Sequence, residues 1–226
     1  MRKFIFLLLA ITIAGCARST KPIEENRLPI TVGILYFENT SKSEKLKPLS
    51  AGLMDMFITE LGRAPELKVV ERKRLDKILQ ELKINQSSMM DQSTAQKIGR
   101  LLGAQTLYYG GYMELMGQLQ LNGHLFRVET GELIASAGGR CDAGNSKEIL
   151  KLVERVSQEI RSQIRRNYRA LLADIYYSRG RDYEETGDIQ KALSQYQKAL
   201  SLQPDHSLSK EAIRRLSGYP GSPSRF

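Results

Sequence analysis

Ile30-Thr31-Val32-Gly33-Ile34-Leu35-Tyr36-Phe37 is the stretch on which the fold turns. Six of its eight residues are large β-formers or aliphatics, and a short apolar run of this kind reads as a buried strand. Glu38-Asn39-Thr40-Ser41 then forms a loop. Leu49, Leu53, Met56, Phe57 and Leu61 recur at helical spacing, which predicts an amphipathic helix over 46–61, with Pro48 tolerable near its first turn and Gly62 and Pro65 ending it.

The same alternation continues outward. Leu67 to Val70 is a second strand, and Leu75, Ile78, Leu79 and Leu82 mark a second helix. A third helix carries Ala95, Ile98, Leu101 and Leu102, with Asp91 or Ser93 as its cap and Gly103 as its stop. Thr106 to Met116 is a strand in which Gly110-Gly111 marks a bulge or a close backbone contact. Gln118 to Val128 alternates through Leu119 and Leu121, with Leu125 and Val128 out of strict step. A turn at Glu129-Thr130-Gly131-Glu132 leads to a strand over 133–137, and Gly138 to Asn145 is read as a loop. From Ser146 the chain is helical, with an apolar stripe of Ile149, Val153, Val156, Ile160 and Ile164. The fold class is therefore an α/β (α+β) domain with a mixed sheet, followed by an all-α region. The expected boundaries are 29–165 for the sheet domain, 166–217 for the helical region and 218–226 for a disordered tail.

The N-terminus gives an address. Arg2 and Lys3 precede an unbroken apolar run from Phe4 to Ala14, too short for the roughly 20 residues of a bilayer span. The run ends Ile13-Ala14-Gly15-Cys16, which resembles a bacterial lipobox. That resemblance implies a signal peptide over 1–15, lipidation of Cys16 and a polar tether over 16–28. It also implies more than one acyl chain on Cys16, and multiple chains anchor firmly where one holds marginally. Ala17, in place of the Asp that retains lipoproteins at the inner membrane, favours the outer membrane, facing the periplasm.

The formal charge of +9 falls by two with Arg2 and Lys3. Its cations are spread along the chain and read first as a solvated basic surface and second as an attraction to anionic lipid headgroups near the anchor; an exported lipoprotein rarely meets nucleic acid, so no nucleic-acid partner is expected. Once Cys16 is committed to lipid, Cys141 has no intrachain partner and reads as a small buried residue. There is no phosphate-binding glycine motif, and His124 and His206 lack metal-ligand spacing. No catalytic residue, cofactor site or metal site is expected.

The order of blocks is informative. Val32-Gly33-Ile34-Leu35-Tyr36-Phe37-Glu38-Asn39-Thr40, Ser50 to Met56, Val69-Val70-Glu71-Arg72, Ile98 to Ala104 and Val128 to Leu133 follow one another behind the lipobox. Together they resemble the CsgG family of curli-secretion lipoproteins. The resemblance implies a periplasmic α/β domain without enzymatic activity, assembled into rings in some members, so a homo-oligomer is among the expectations. Channel-forming members carry long membrane hairpins, and a membrane strand needs about 9–11 residues. Neither 110–128 nor 137–146 offers room for one.

A second resemblance is to a single tetratricopeptide repeat: Tyr176, Gly180, Tyr183, Ala192, Tyr196, Ala199 and Pro204 fall at the positions of that motif, with Tyr176 in place of its Trp and Arg179 in place of its Leu. Such a repeat implies a protein partner. The function expected is a non-enzymatic protein-binding or assembly component of a cell-envelope or secretion system. The alternatives are a CsgG-like secretion-channel subunit and an envelope hydrolase.

Overall fold

The computed structural model describes residues 28–41, 43–84 and 91–218. Cys16 and its signal, and most of the expected tail, lie outside the described residues.

Among the described residues six strands form one mixed sheet: β1 (Ile30–Ile34), β2 (Glu38–Asn39), β3 (Leu67–Val69), β4 (Thr106–Leu115), β5 (Gln118–Arg127) and β6 (Leu133–Asp142). The order is β3-β1-β4-β5-β6, with β2 beside the far half of β4. β1 runs parallel to both its neighbours, whereas β4, β5 and β6 form an antiparallel meander. Three helices are interleaved with the early strands, α1 (Leu49–Gly62), α2 (Arg72–Glu81) and α3 (Gln92–Leu102), and α4 (Ser146–Arg166) follows the last.

Tyr108 and Leu107 show how the two faces are used. Tyr108 points at α1, where its ring meets Phe37 and Phe57 edge-on at 5.6 and 5.1 Å. Leu107 points the other way, toward Gly99 of α3. The absent Cβ of Gly99 lets α3 lie close on Leu107 and Val128. The sheet is thus covered on both faces, which is why β1 reads as a continuous apolar run.

Four local expectations are corrected. The strand predicted over 30–37 stops at Ile34; Leu35 and Phe37 stay buried, and a separate short β2 follows. The helix predicted from Leu46 begins at Leu49, after a 3₁₀ turn over Glu44–Leu46, because Pro48 has no N–H to continue an earlier helix. The predicted loop from Gly138 is the second half of β6: Gly138 and Gly139 lie directly opposite Asn122 and Leu121. A side chain on Gly138 would strike the carbonyl oxygen of Leu121. Of the two readings of Gly110-Gly111, the close backbone contact holds, since a Cβ on Gly110 would come within 2.0 Å of the carbonyl oxygen of Asn122. The register break lies at Leu125/Phe126. Leu125 is in step with Leu119 and Leu121 after all. The core position between them is Gly123, left empty for the Tyr108 ring, whose hydroxyl donates to the Ala137 carbonyl at 2.8 Å.

β4 and β5 are joined by Met116 and Gly117 alone, both at positive φ, and β6 passes into α4 through residues 143–145. After α4 come α5 (Tyr168–Glu185), α6 (Ile189–Leu202) and α7 (Ser207–Leu216). α5 and α6 form a hairpin turned at Gly187, with the Asp188 carboxylate accepting from the Lys191 N–H. α7 covers α6 through Ala212 and Leu216.

Candidate functional site

The helical hairpin has a small core of its own, with Leu193, Tyr196 and Leu216 as its large buried side chains. It also docks on the sheet domain, whose core extends to Leu171 of α5.

At the docking seam lies an ionic network. Arg127, the last residue of β5, is 5% exposed; Asp174 of α5 is 1% exposed. Arg127 donates from Nε and Nη2 to the two Asp174 oxygens at 3.0 and 2.8 Å, and from Nη1 to Glu132 at 2.8 Å. Burial works against its charge, but the Asp174 carboxylate and then Glu132 outweigh this and raise its pKa. On the far side of Asp174, His206 Nε2 lies 3.0 Å from Oδ1. His206 Nδ1 accepts from the Ser209 N–H, so the ring proton sits on Nε2 and is donated to Asp174. Glu129, in the same turn, takes Arg181 of α5 at 3.0 Å and Arg100 of α3 at 3.7 Å. Its pKa is raised, because burial outweighs those two cations.

Ser209, His206 and Asp174 have the connectivity of a hydrolytic triad: Ser209 Oγ is 2.8 Å from Nδ1. Ser209 and Asp174 are at most 1% exposed and His206 is 2% exposed. The His206 ring caps α7, its Nδ1 taking the Ser209 N–H at 3.2 Å with the Ser209 hydroxyl beside it, and all three side chains lie out of the solvent. The arrangement serves as a clamp.

The motif residues take several places. A Cβ on Gly180 would fall 2.3 Å from the Tyr196 ring, so this glycine is the slot for that ring. Tyr196, Ala192 and Ala199 are fully buried, and the Tyr196 hydroxyl donates to Glu184 at 2.8 Å. Tyr183 is half-buried beneath Lys191, and Pro204 is exposed just beyond α6. Tyr176 faces away from this core. It is Tyr177, not singled out from sequence, that meets Tyr196 and His206 at ring distances of 5.6 and 5.5 Å. Tyr108 and Tyr112 are fully buried and Tyr109 stacks on Phe126, so these tyrosines belong to the packing of the sheet.

The seam's charged residues were missed in the sequence. The available signal was Asp174 inside Leu171-Leu172-Ala173-Asp174-Ile175-Tyr176-Tyr177, a carboxylate in an apolar helical run, which when buried demands a partner.

Tyr176 lines a groove of about 1200 Å³ between the start of β1 and helices α4, α5 and α6. Its floor contains Ile30, Ile164, Leu172 and Leu202. Around it stand Arg165, Arg166, Arg169 and Lys198, with Glu66 as the carboxylate among the described lining residues. Glu66 is already held by Arg165 at 2.6 Å and Arg161 at 3.1 Å. Lys198 and Arg179 lie 5.8 and 5.6 Å from the centre of the Tyr176 ring. Leu28, where the described chain begins, accepts from the Tyr168 hydroxyl at the groove's edge. Among the described residues no group of His, Cys, Asp and Glu could hold a metal, and no helix is long and apolar enough to cross a membrane. Cys141 is free and buried.

Residues 19–116 match the family described as curli production assembly/transport component CsgG, and residues 173–206 match the tetratricopeptide repeat. No curated protein matches the chain. Among solved structures, the LpoB C-terminal domain from Escherichia coli is similar at 21% identity and a TM-score of 0.44, over 53% of this chain and 87% of that one. Lipoprotein GNA1162 from Neisseria meningitidis is similar at 15% identity and a TM-score of 0.44, over 59% and 97% of the two chains. A PelC dodecamer from Paraburkholderia phytofirmans is similar at 12% identity and a TM-score of 0.38, over 57% and 88%. None of these likenesses bears on function. The chain thus joins a segment matching the CsgG family, residues 19–116, to a C-terminal segment matching the tetratricopeptide repeat, residues 173–206.

Proposed function

We propose that this protein is a lipid-anchored, non-enzymatic component of the cell envelope. Held at the outer membrane through Cys16 and facing the periplasm, it binds a protein partner and places that partner in an envelope or secretion assembly. The observation that carries the reading is the clamp between Arg127 and Asp174. It fuses a repeat of a partner-binding type to the sheet domain as one unit and leaves the Tyr176 side of α5 open. The burial of Ser209, His206 and Asp174 speaks for structure rather than turnover. The Met116-Gly117 turn and the short connection after β6 leave no inserted hairpin at either place where a channel-forming member would carry one.

The test is fractionation of cells carrying Cys16→Ser, with crosslinking from a photoreactive residue at Ser201 in the parent. The expected results are loss of the variant from the envelope pellet and a discrete crosslinked protein in the parent. A variant that pellets as firmly as the parent sinks the anchor. A parent that crosslinks to nothing sinks the recruiting role.

A further inference from the structure

We propose that the groove beside Tyr176 docks an acidic peptide segment of a partner protein that carries aliphatic side chains between its carboxylates. This rests on the protein-binding reading above and gives the partner its chemistry. The first argument is charge. Glu66 is neutralised by Arg161 and Arg165, while Arg166 and Arg169 have no ion pair among the described residues and Lys198 only leans over the Tyr176 ring. These three cations come from the end of α4, from the first turn of α5 and from α6, and all line the groove. Three cations facing one groove suit a segment with more than one carboxylate.

The second argument is the floor. Leu172, Leu202 and the Tyr176 ring are half-buried between the cations. A polyanion without apolar side chains leaves this surface wet, whereas a Leu or Ile on the same segment covers it. The third is size. Small-molecule sites run from about 300 to 1000 Å³, and this groove is larger and open along its length. Lipid headgroups at a bilayer surface meet cations that protrude; here the apolar floor lies recessed between them. The favoured occupant is therefore a peptide.

The experiment uses the full chain in neutral detergent. A fluorescein-labelled peptide alternating Glu and Leu is titrated by anisotropy, beside a Lys-Leu peptide and soluble dihexanoyl-phosphatidylglycerol. The Glu-Leu peptide is expected to bind, and the Arg166→Ser/Arg169→Ser double variant to bind it about tenfold more weakly, as for loss of charge-assisted contacts. Arg214→Ser, which removes an exposed cation of α7 outside the groove, should leave binding unchanged. The substituted side chains are exposed, so folding should be retained, with near-ultraviolet circular dichroism as the check. Absence of Glu-Leu binding, equal binding of the Lys-Leu peptide, or equal affinity in the double variant overturns the proposal. So does phosphatidylglycerol binding that the double variant loses while the peptide does not, which marks a headgroup site. Crosslinking the double variant in cells separates the two levels. Partner capture at the parent's yield overturns the groove and leaves the protein-binding reading standing. A parent with no partner overturns that reading and the groove with it.

Discussion

Arg127 grips Asp174 side-on, Nε to one carboxylate oxygen and Nη2 to the other, and through this contact the last residue of β5 holds the middle of α5. Both side chains are almost wholly out of water. Removing one partner from such a pair leaves an uncompensated buried charge at a cost of about 3–5 kcal/mol, while replacing both with apolar side chains is often neutral or better. Asp174→Ala is therefore expected to lower the unfolding free energy by about that amount, and Arg127→Met/Asp174→Leu to recover most of it. Urea unfolding of the four proteins of the cycle checks this; a double variant as unstable as the single one would show that the pair is not the clamp.

Two glycines inside helices should respond in opposite directions to the same substitution. A Cβ on Gly180 would fall 2.3 Å from the Tyr196 ring, which is fully buried and tied by its hydroxyl to Glu184. The ring cannot retreat, so Gly180→Ala should destabilise by about 1–3 kcal/mol, the usual cost of overpacking. Gly52 of α1 has open space at its Cβ position, and Gly52→Ala should stabilise by about 0.5–1 kcal/mol through helix propensity alone. Thermal unfolding of both variants decides it, and equal shifts in one direction would refute the packing argument.

What could be read from the residues followed from local rules. Asp91 caps α3 and Gly103 closes it at φ 66° because both ends obey backbone hydrogen-bonding chemistry that neighbouring residues display. The stripe Val153, Val156, Ile160 and Ile164 is likewise a one-helix pattern. What escaped depended on distant partners. β6 runs on through Gly138 and Gly139, residues that disfavour strands by propensity, because β5 supplies a flat partner across the register. Leu125 looked out of step because its core neighbour Gly123 has no side chain to signal burial, its place being filled by Tyr108. The seam was hidden most completely, since Arg127, Asp174 and His206 stand far apart in the chain and the apolar run around Asp174 does not say which residues it pairs with.

The carboxylate of Glu66 should govern part of the acid limb of stability. Burial opposes its ionisation, but its backbone amide, Arg165 and Arg161 together hold its pKa down to about 2, against an ordinary value of 4.5. A carboxylate with a depressed folded pKa contributes stability that is full above the unfolded value and lost as pH falls toward the folded one. The window is therefore from about pH 4.5 down to about pH 2. Unfolding free energies measured across it should fall less steeply for Glu66→Gln than for the parent. Parallel slopes would mean that the contact of Glu66 with α4 adds nothing in solution.

Met116 is the least suited residue in the sheet's connections. It sits at φ 51° beside Gly117 at φ 77°, the paired left-handed conformation of a two-residue type I′ hairpin turn, and its side chain is 95% exposed. For an L residue other than Gly, Asn or Asp this conformation costs on the order of 1–2 kcal/mol, and no packing compensates here. Met116→Asn should accordingly stabilise the hairpin by about 0.5–1 kcal/mol, since Asn-Gly is the preferred pair for this turn. Met116→Val, branched at Cβ, should destabilise it. Thermal unfolding of the two variants tests the sign in each case. A stable Val variant, or an Asn variant below the parent, would show that the β4–β5 register is set by the strands and not by the turn.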